Sequence, residues 1–522
     1  MAFVGLRFGW DEPRFITAAE ADTVLGGIDL ARALSDDGPD APASIVQRLK
    51  LGFEPHEGNP RLAELPGDAA FRRAVVEAPL PRWLAAAGIG VLPSPEDTPN
   101  LARAASSSAV AVALAVVLMA LIRRRRWGLF ALAAPALLLA LPGVLDAGVS
   151  AGYGASAILV MAALAAAVER LHASGRGALV VGALVGLAAA VHPIGLALVV
   201  PVLAAYAVAR RPDATSIEDE SGGSLRLPAA PLALLALPII AVIVLVLAWP
   251  ELWSETGKRL GSWLLDFAQS ARAKVEVAGL TYDPQPDRVA PAWSAFLQWV
   301  AWTPYPIVGL WVAGVGKAIR DGRDGAWFPI AAWLTLLVGG ALDGGLFGAR
   351  ASLLPLLWVP TALTAAEGLD AVRTWARERL AGLPRAATLA ARAAALALGV
   401  AVAWQALAST TWGAASQTGS EPRYALSLAL IDTVEASEPG GIVAVVQGPP
   451  EQYAPQLEVA RHQLERDIRP GEPANASWII TVGDLGPDGE KALAGLTEVQ
   501  RDGRGGVHTS LWRRTGRDLG RH

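Results

Sequence analysis

The chain has 522 residues, 53% of them hydrophobic, and a mean hydropathy of +0.38, which is too high for a soluble protein of this length. The formal net charge of −4 gives no electrostatic reason to expect nucleic-acid binding. The absence of cysteine excludes disulfides, thiol catalysis and cysteine metal sites, and the six histidines form no HxxxH or HExxH pattern. Together these properties indicate an integral membrane protein.

Ten apolar stretches have about the length that crossing a hydrocarbon core of ~30 Å requires. We therefore expect an all-α polytopic membrane protein. The predicted spans are 105–122, 128–145, 152–169, 177–191, 194–209, 229–249, 296–316, 327–345, 351–367 and 388–408.

Every second loop between these spans is rich in lysine and arginine. The basic series includes Arg123–Arg126, Arg170, Arg176, Arg210–Arg211, Lys317, Arg320, Arg323 and five arginines between 373 and 392. Because positively charged loops stay in the cytoplasm, residues 1–104, 250–295 and the tail after 409 are predicted to lie outside. This pattern predicts a multi-pass protein of the plasma (inner) membrane whose polar site faces the periplasm or exterior.

Three regions follow from this map: a first outer loop (1–104), a transmembrane domain (105–408, including outer loop 250–295) and an extracytoplasmic domain (409–522). Only ten residues precede the polar part of the first loop, so either this loop is translocated without a leading anchor or, as we expect, a further span lies upstream of Met1. In the tail, the β-rich runs Gly441–Val446 and Ser477–Val482 alternate with a helical pattern at 450–467, which predicts a small α/β domain.

The two long outer loops contain amphipathic patterns. In the first, Arg14–Leu25 and Ala69–Val76 have helical periodicity, and Glu77–Leu84 suits a helix at the membrane interface. In the second, residues 260–267 have a Trp-rich helical face, and Gly279–Pro284 is turn-rich. Both loops are therefore expected to contact membrane lipids.

Two acidic sites on the outer face could do chemistry. Asp11 and Glu12 could act as a general base or bind a divalent ion, or they could simply begin a helix whose first turn contains Pro13. Asp146 lies at the outer end of a span, where acids are often functional, although it could instead cap the helix that begins near Ala151.

Basic residues on the same face have similar alternatives. Arg103 and Arg350 lie at outer span boundaries, where arginine can clamp a phosphate or snorkel toward lipid headgroups. His192, followed by Pro193 in an outer hairpin, could bind a ligand or form a turn. None of these signals is specific alone, but all of them map to one face.

The order of motifs resembles the GT-C membrane glycosyltransferases of the protein O-mannosyltransferase and aminoarabinose-transferase-like superfamily. The similar segments are Trp10-Asp11-Glu12, Glu77–Trp83, Arg103–Ser107, Trp249–Trp253, Tyr282-Asp283-Pro284, Thr303–Pro306 and Gly348–Pro355. They cover residues 8 to about 370. Ala78 and Ala351 depart from the family pattern, which often has histidine and tyrosine there.

The resemblance implies sugar transfer, with inversion, from a polyprenyl-phosphate donor to an acceptor hydroxyl. It makes Asp11 the expected base and adds Glu12 and Asp146 as further catalytic acids. Arg350 and Arg103 would bind the donor phosphate. Glu77, His192 and Tyr282 would contact substrate.

The resemblance implies no cofactor and does not lead us to expect a metal, although some GT-C enzymes need one. The acceptor could be protein, lipid or glycan. One alternative interpretation is a transporter or flippase, but the scarcity of charges within the spans and the lack of a repeat disfavour it. Another is a degenerate, non-catalytic family member.

Overall fold

The structure is a computed structural model. It describes residues 15–16, 18–35, 44–53, 79–91, 98–123, 129–174, 177–209, 230–253, 256–261, 275–277, 280–282, 292–321, 327–342, 353–380, 385, 389, 399, 426–427, 442–446, 459, 468–470, 478–482, 493–504 and 507–514.

Helices dominate the described chain up to residue 380. Two 3-10 helices, Pro193–Leu198 and Pro250–Trp253, follow the outer ends of two spans. The α-helices are α1 Ala18–Ser35, α2 Ile45–Phe53, α3 Pro79–Ile89, α4 Thr98–Arg123, α5 Leu129–Leu139, α6 Pro142–Val149, α7 Tyr153–Ser174, α8 Ala178–Val191, α9 Val199–Ala209, α10 Ala230–Ala248, α11 Ala292–Trp302, α12 Tyr305–Asp321, α13 Trp327–Leu342 and α14 Leu354–Leu380.

Nine of the ten predicted spans coincide with these helices, and the tenth, 388–408, lies almost entirely outside the described residues. Two helices, α4 and α7, are long and apolar enough to cross a membrane, and shorter apolar helices occur at Ala178–Val191, Pro193–Ala204, Ala236–Ala248 and Trp327–Ala341. The number of about ten spans therefore stays a prediction.

Proline interrupts two of the predicted spans, and a third proline lies just before another. Pro142 begins α6, Pro193 begins a 3-10 helix, and Pro304 directly precedes α12. Proline lacks the N–H that a continuing helix needs but suits a first helical turn, so the spans 128–145 and 296–316 are each built from two shorter helices.

Large apolar side chains cover the outside of the bundle. Ile239 and Leu247 on α10, Val312 on α12 and Val338 on α13 are all more than half exposed. The bundle interior is instead rich in alanine, leucine and valine. Apolar side chains facing outward over several helices indicate a surface that contacts lipid rather than water.

The first outer segment forms a helical layer at one end of the bundle. Its helix α1 packs on α2 and α3, and α3 packs in turn on α4. The predicted helix over Glu77–Leu84 is present as α3, with Pro79, Arg82 and Ala86 buried in protein contacts. The predicted helix over Ala69–Val76 lies outside the described residues.

The tail contains a five-stranded mixed sheet in the order β6-β5-β7-β9-β8. Its strands are β5 Ile442–Val446, β6 Ile468–Pro470, β7 Trp478–Val482, β8 Leu496–Arg504 and β9 Val507–Arg514. β5 pairs in parallel with β6 and β7, whereas β9 is antiparallel to β7 and β8. Both predicted strands are confirmed; the predicted helix at 450–467 is described only at Val459.

Two short pairings involve the outer segments. The turn-rich interpretation of 279–284 is wrong over Leu280–Tyr282, because these residues form β3, which pairs antiparallel with β2 (Val275–Val277). β1 (Phe15–Ile16) pairs with β4 (Leu426–Ser427), joining the start of the first outer segment to the tail. The proposed domain boundaries at 104 and 408 stay predictions.

Candidate functional site

A buried carboxylate, Glu20, joins three segments at one end of the bundle. Glu20 lies in the first turn of α1 and is 7% exposed. Its two oxygens accept hydrogen bonds from Arg103 Nε at 2.7 Å and Arg103 Nη2 at 3.0 Å. Oε1 also accepts from the backbone N–H of Ala151, at 2.9 Å. A fork-to-fork pair of this kind fixes orientation as well as distance.

A second contact holds the segment just before Ala151. The Ser107 hydroxyl, one turn along α4 from Arg103, donates to the backbone carbonyl of Gly148. Gly148 and Ala151 flank the junction between α6 and α7, so this junction contacts α4 through Ser107 and α1 through Glu20. Because Asp146 lies in α6, the segment that carries it is held from two sides.

A second buried ion pair lies where α3 meets the loop after α10. Arg82 Nη1 is 3.4 Å from Glu251 Oε1, and Glu251 is 3% exposed. The other Glu251 oxygen accepts from the indole N–H of Trp249, and its backbone carbonyl accepts from Arg259. Such a buried carboxylate needs these partners, because an uncompensated charge there would be costly.

Aromatic contacts surround this second pair. The Arg82 guanidinium lies 5.8 Å from the ring centre of Phe53, and Phe53 is 5.5 Å from Trp83. The Trp83 indole donates to the carbonyl of Ala248 at 2.9 Å, at the end of α10. α2, α3 and the outer end of α10 therefore form one aromatic and charged corner.

Glycines allow these helices to approach closely. A Cβ on Gly26 would lie 2.8 Å from Cδ of Arg82, and one on Gly27 would lie 2.7 Å from Cβ of Ala85. Both glycines belong to α1, which also carries Glu20. The two ion pairs are thus connected through α1.

His192 adopts the turn-forming alternative. Its side chain is buried, and Nδ1 accepts from the backbone N–H of Ile194 at 3.3 Å, capping the 3-10 helix that begins at Pro193. The hairpin lies near the second ion pair, because Leu196 and Leu80 both pack on the cluster that contains Trp249. A ligand-binding role for His192 stays a prediction.

The opposite end of the bundle carries a different charge cluster. Lys317 Nζ lies 3.0 Å from Glu367 and 2.5 Å from Asp370, at the C-terminal parts of α12 and α14. Lys317 belongs to the basic series assigned to the cytoplasm. That assignment to the cytoplasm stays a prediction.

Neither family models nor curated proteins match the sequence. Among solved structures, the crystal structure of ArnT from Cupriavidus metallidurans bound to undecaprenyl phosphate does match, with a TM-score of 0.51 and 16% sequence identity. The match covers 86% of this chain and 90% of that chain. The protein has an ArnT-like GT-C fold. At the level of fold, the ArnT-like resemblance inferred from the order of motifs is confirmed.

Several of the predicted site residues in the ArnT-like fold lie beyond what the structure describes. Asp11, Glu12, Glu77 and Arg350 are outside the described residues. Asp146 and Tyr282 are placed only by their backbone, in α6 and β3. Their roles stay predictions.

Arg103 is the predicted phosphate ligand whose contacts are visible. Two of its nitrogen atoms donate to Glu20, so much of its guanidinium fork already has an anionic partner. The phosphate-binding role is untested, but this pairing favours a holding role.

Glu20, Arg82 and Glu251 are not among the site residues predicted from the sequence. Glu20 is one of several acids in a polar segment, and its partners lie 83 and 131 residues further along the chain. One signal was present: Glu251 stands between Trp249 and Trp253 directly after an apolar span. An acid in such a setting usually has a partner.

Within the described ranges, no three His, Cys, Asp or Glu side chains are close enough together to hold a metal ion. The acids of the first outer motif are not among those residues, so metal binding at Asp11 and Glu12 stays an open alternative.

Proposed function

We propose that this protein is a membrane glycosyltransferase that moves a sugar from a polyprenyl-phosphate donor to an acceptor hydroxyl on the outer face. The observation that carries the proposal is the fold shared, over most of both chains, with a protein whose crystal structure contains undecaprenyl phosphate. The apolar bundle and the polar layer at one of its ends support a substrate with a lipid tail and a polar head.

In the proposed reaction, Asp11 accepts the proton of the acceptor hydroxyl. The hydroxyl oxygen forms a bond to the anomeric carbon from the side opposite the phosphate, and the bond from that carbon to the phosphate oxygen breaks. The polyprenyl phosphate leaves with the bonding electrons, and Arg350 compensates its negative charge. In-line displacement inverts the anomeric configuration.

The contacts of Glu20 support the proposed arrangement of acids. Asp11 and Glu12 precede α1 by only a few residues, and Asp146 lies in α6. Glu20 in α1 bonds to Ala151, directly after α6. The segments carrying the proposed acids are therefore joined through one carboxylate.

The proposal is tested with the full chain in lipid nanodiscs. We expect native mass spectrometry to show bound undecaprenyl phosphate. We also expect sugar transfer from radiolabelled undecaprenyl-phosphate mannose or aminoarabinose into host membrane material. Replacing Asp11→Asn should lower kcat by at least about a hundred-fold, because a general base contributes typically 10²–10⁴-fold.

The matched control is Asp370→Asn, the same change at the opposite end of the bundle, which should leave kcat near the wild-type value. Full activity of the Asp11→Asn variant would exclude Asp11 as the base. A wild-type chain that neither binds undecaprenyl phosphate nor transfers either sugar would contradict the proposed function and favour a non-catalytic role.

A further inference from the structure

We infer that Glu20 is a positioning residue, which with Arg103 holds the first outer segment against the α6–α7 hairpin at the geometry that sugar transfer requires. This inference rests on the proposed function and deepens it. It assigns a role to a side chain that touches neither the sugar nor the phosphate in the proposed reaction.

Glu20 connects three segments that are distant in the sequence. Glu20 receives hydrogen bonds from the start of the first long span, through Arg103, and from the second outer hairpin, through Ala151. Its own helix follows the Asp11–Glu12 motif. One carboxylate thus links the three segments around the proposed acids.

The hydrogen bonds between Arg103 and Glu20 fix an orientation as well as a distance. Arg103 donates from two different nitrogens to two different oxygens, at 2.7 and 3.0 Å, which fixes the plane of the carboxylate. Lysine could supply the charge but not the fork. The Ala151 N–H then fixes where the hairpin lies relative to that plane.

The burial of the Glu20–Arg103 pair favours a single arrangement of these segments. A buried ion pair gains little net stability over apolar residues of similar volume, because removing both charges from water offsets their attraction. The lasting effect of such a pair is that wrong arrangements leave a charge uncompensated. The side chains of Arg103 and Glu20 are only 13% and 8% exposed, so the pair favours the one arrangement of the segments in which both charges are compensated.

The kinetic test compares Glu20→Gln, Glu20→Ala and Arg103→Lys with wild type, using the undecaprenyl-phosphate sugar that wild type transfers. We expect kcat of Glu20→Ala and Arg103→Lys to fall by about a hundred-fold, the loss typical of a reacting group displaced by about 1 Å. For Glu20→Ala the KM for the donor should stay unchanged, because Glu20 does not contact the donor in the proposed reaction. Glu20→Gln, which keeps an acceptor for Ala151, should show a smaller fall.

The matched control is Glu367→Gln, which removes a carboxylate from the Lys317 pair at the other end of the bundle. A merely structural pair would lower Tm and the folded fraction but leave kcat per folded molecule unchanged. Positioning instead predicts a fall in kcat for Arg103→Lys with Tm close to that of wild type.

A second measurement does not depend on activity. The chain has no cysteine, so spin labels can be placed at Ser35→Cys, an exposed position at the end of α1, and at Gly152→Cys without other changes. The distance distribution between the labels should be narrow with Glu20 present and broad in the Glu20→Ala background. In the Glu367→Gln background it should stay narrow.

These readouts separate the two possible failures. If wild type transfers no sugar but the distribution broadens on removing Glu20, the proposed function fails while the link between segments stands. If wild type is active and the Glu20 and Arg103 variants keep both wild-type kcat and a narrow distribution, the positioning role is wrong. Should Glu20→Ala fail to fold, Glu20→Gln and Arg103→Lys decide, because each retains part of the hydrogen bonding.

Discussion

At the scale of single residues, Glu251 shows how a charge is accommodated beside a membrane span. Its carboxylate has Arg82 on one oxygen and the Trp249 indole on the other, and its backbone carbonyl accepts from Arg259. Three segments therefore depend on one position. Removing Arg82 takes away the cation that is paired with this buried carboxylate, which costs more than the pair itself contributes.

Replacing Arg82→Ala is expected to destabilise the protein by about 3–5 kcal/mol, since Glu251 would remain buried and negatively charged. Thermal unfolding in detergent, followed by tryptophan fluorescence, measures the change in Tm. The double variant Arg82→Ala, Glu251→Gln should be more stable than Arg82→Ala alone, because the uncompensated charge is gone. The exposed Arg379→Ala serves as control, and equal Tm values for it and Arg82→Ala would contradict the prediction.

At the scale of helices, close packing depends on residues without side chains. α12 and α14 meet where Gly314 faces the carbonyl of Thr364 and Gly368 faces that of Leu310. A Cβ at either glycine would overlap the opposing backbone. Small residues allow this approach in membrane bundles, where packing rather than water expulsion drives helix association.

Gly314→Ala and Gly316→Ala therefore form a matched pair on α12. No atom lies within 4 Å of a Cβ placed on Gly316, so alanine there should be neutral or stabilise the helix by up to about 1 kcal/mol. Alanine at Gly314 must push α14 away and should destabilise by about 1–3 kcal/mol. Tm values in detergent compare the two; the reverse order would show that this contact does not limit packing.

At the scale of the whole molecule, the charge clusters define two ends. Arg82 and Glu251 lie at one end, and Lys317 lies with Glu367 and Asp370 at the other. The distribution of basic loops assigns the Lys317 end to the cytoplasm. The orientation in the membrane stays a prediction that can be tested in cells.

Single cysteines in the cysteine-free chain provide that test. Val91, just after α3, is 73% exposed, and Arg379 is exposed near the end of α14. A membrane-impermeant maleimide should label Val91→Cys in intact cells or spheroplasts. It should label Arg379→Cys only after permeabilisation. Labelling of Arg379→Cys without permeabilisation would reverse the assigned orientation.

Much of the helical framework could be predicted from sequence. A span in lipid needs a continuous apolar stretch of a certain length, and both properties can be read from the local sequence. The strands at Ile442–Val446 and Trp478–Val482 were predictable for a similar reason, since β-branched runs mark buried strands. The breaks at Pro142 and Pro304 were less evident, because proline can also kink a continuous helix.

The composition, the apolar periodicity and the basic loops by themselves determined the membrane class, the approximate spans and the expected orientation. Only the tertiary structure paired Glu20 with Arg103 and Ala151, and Arg82 with Glu251, across separations of 83, 131 and 169 residues. The physical reason is that a buried charge is specified by the partner that compensates it. Helix packing brings that partner near from a distant part of the chain, so the local sequence around either residue does not identify it.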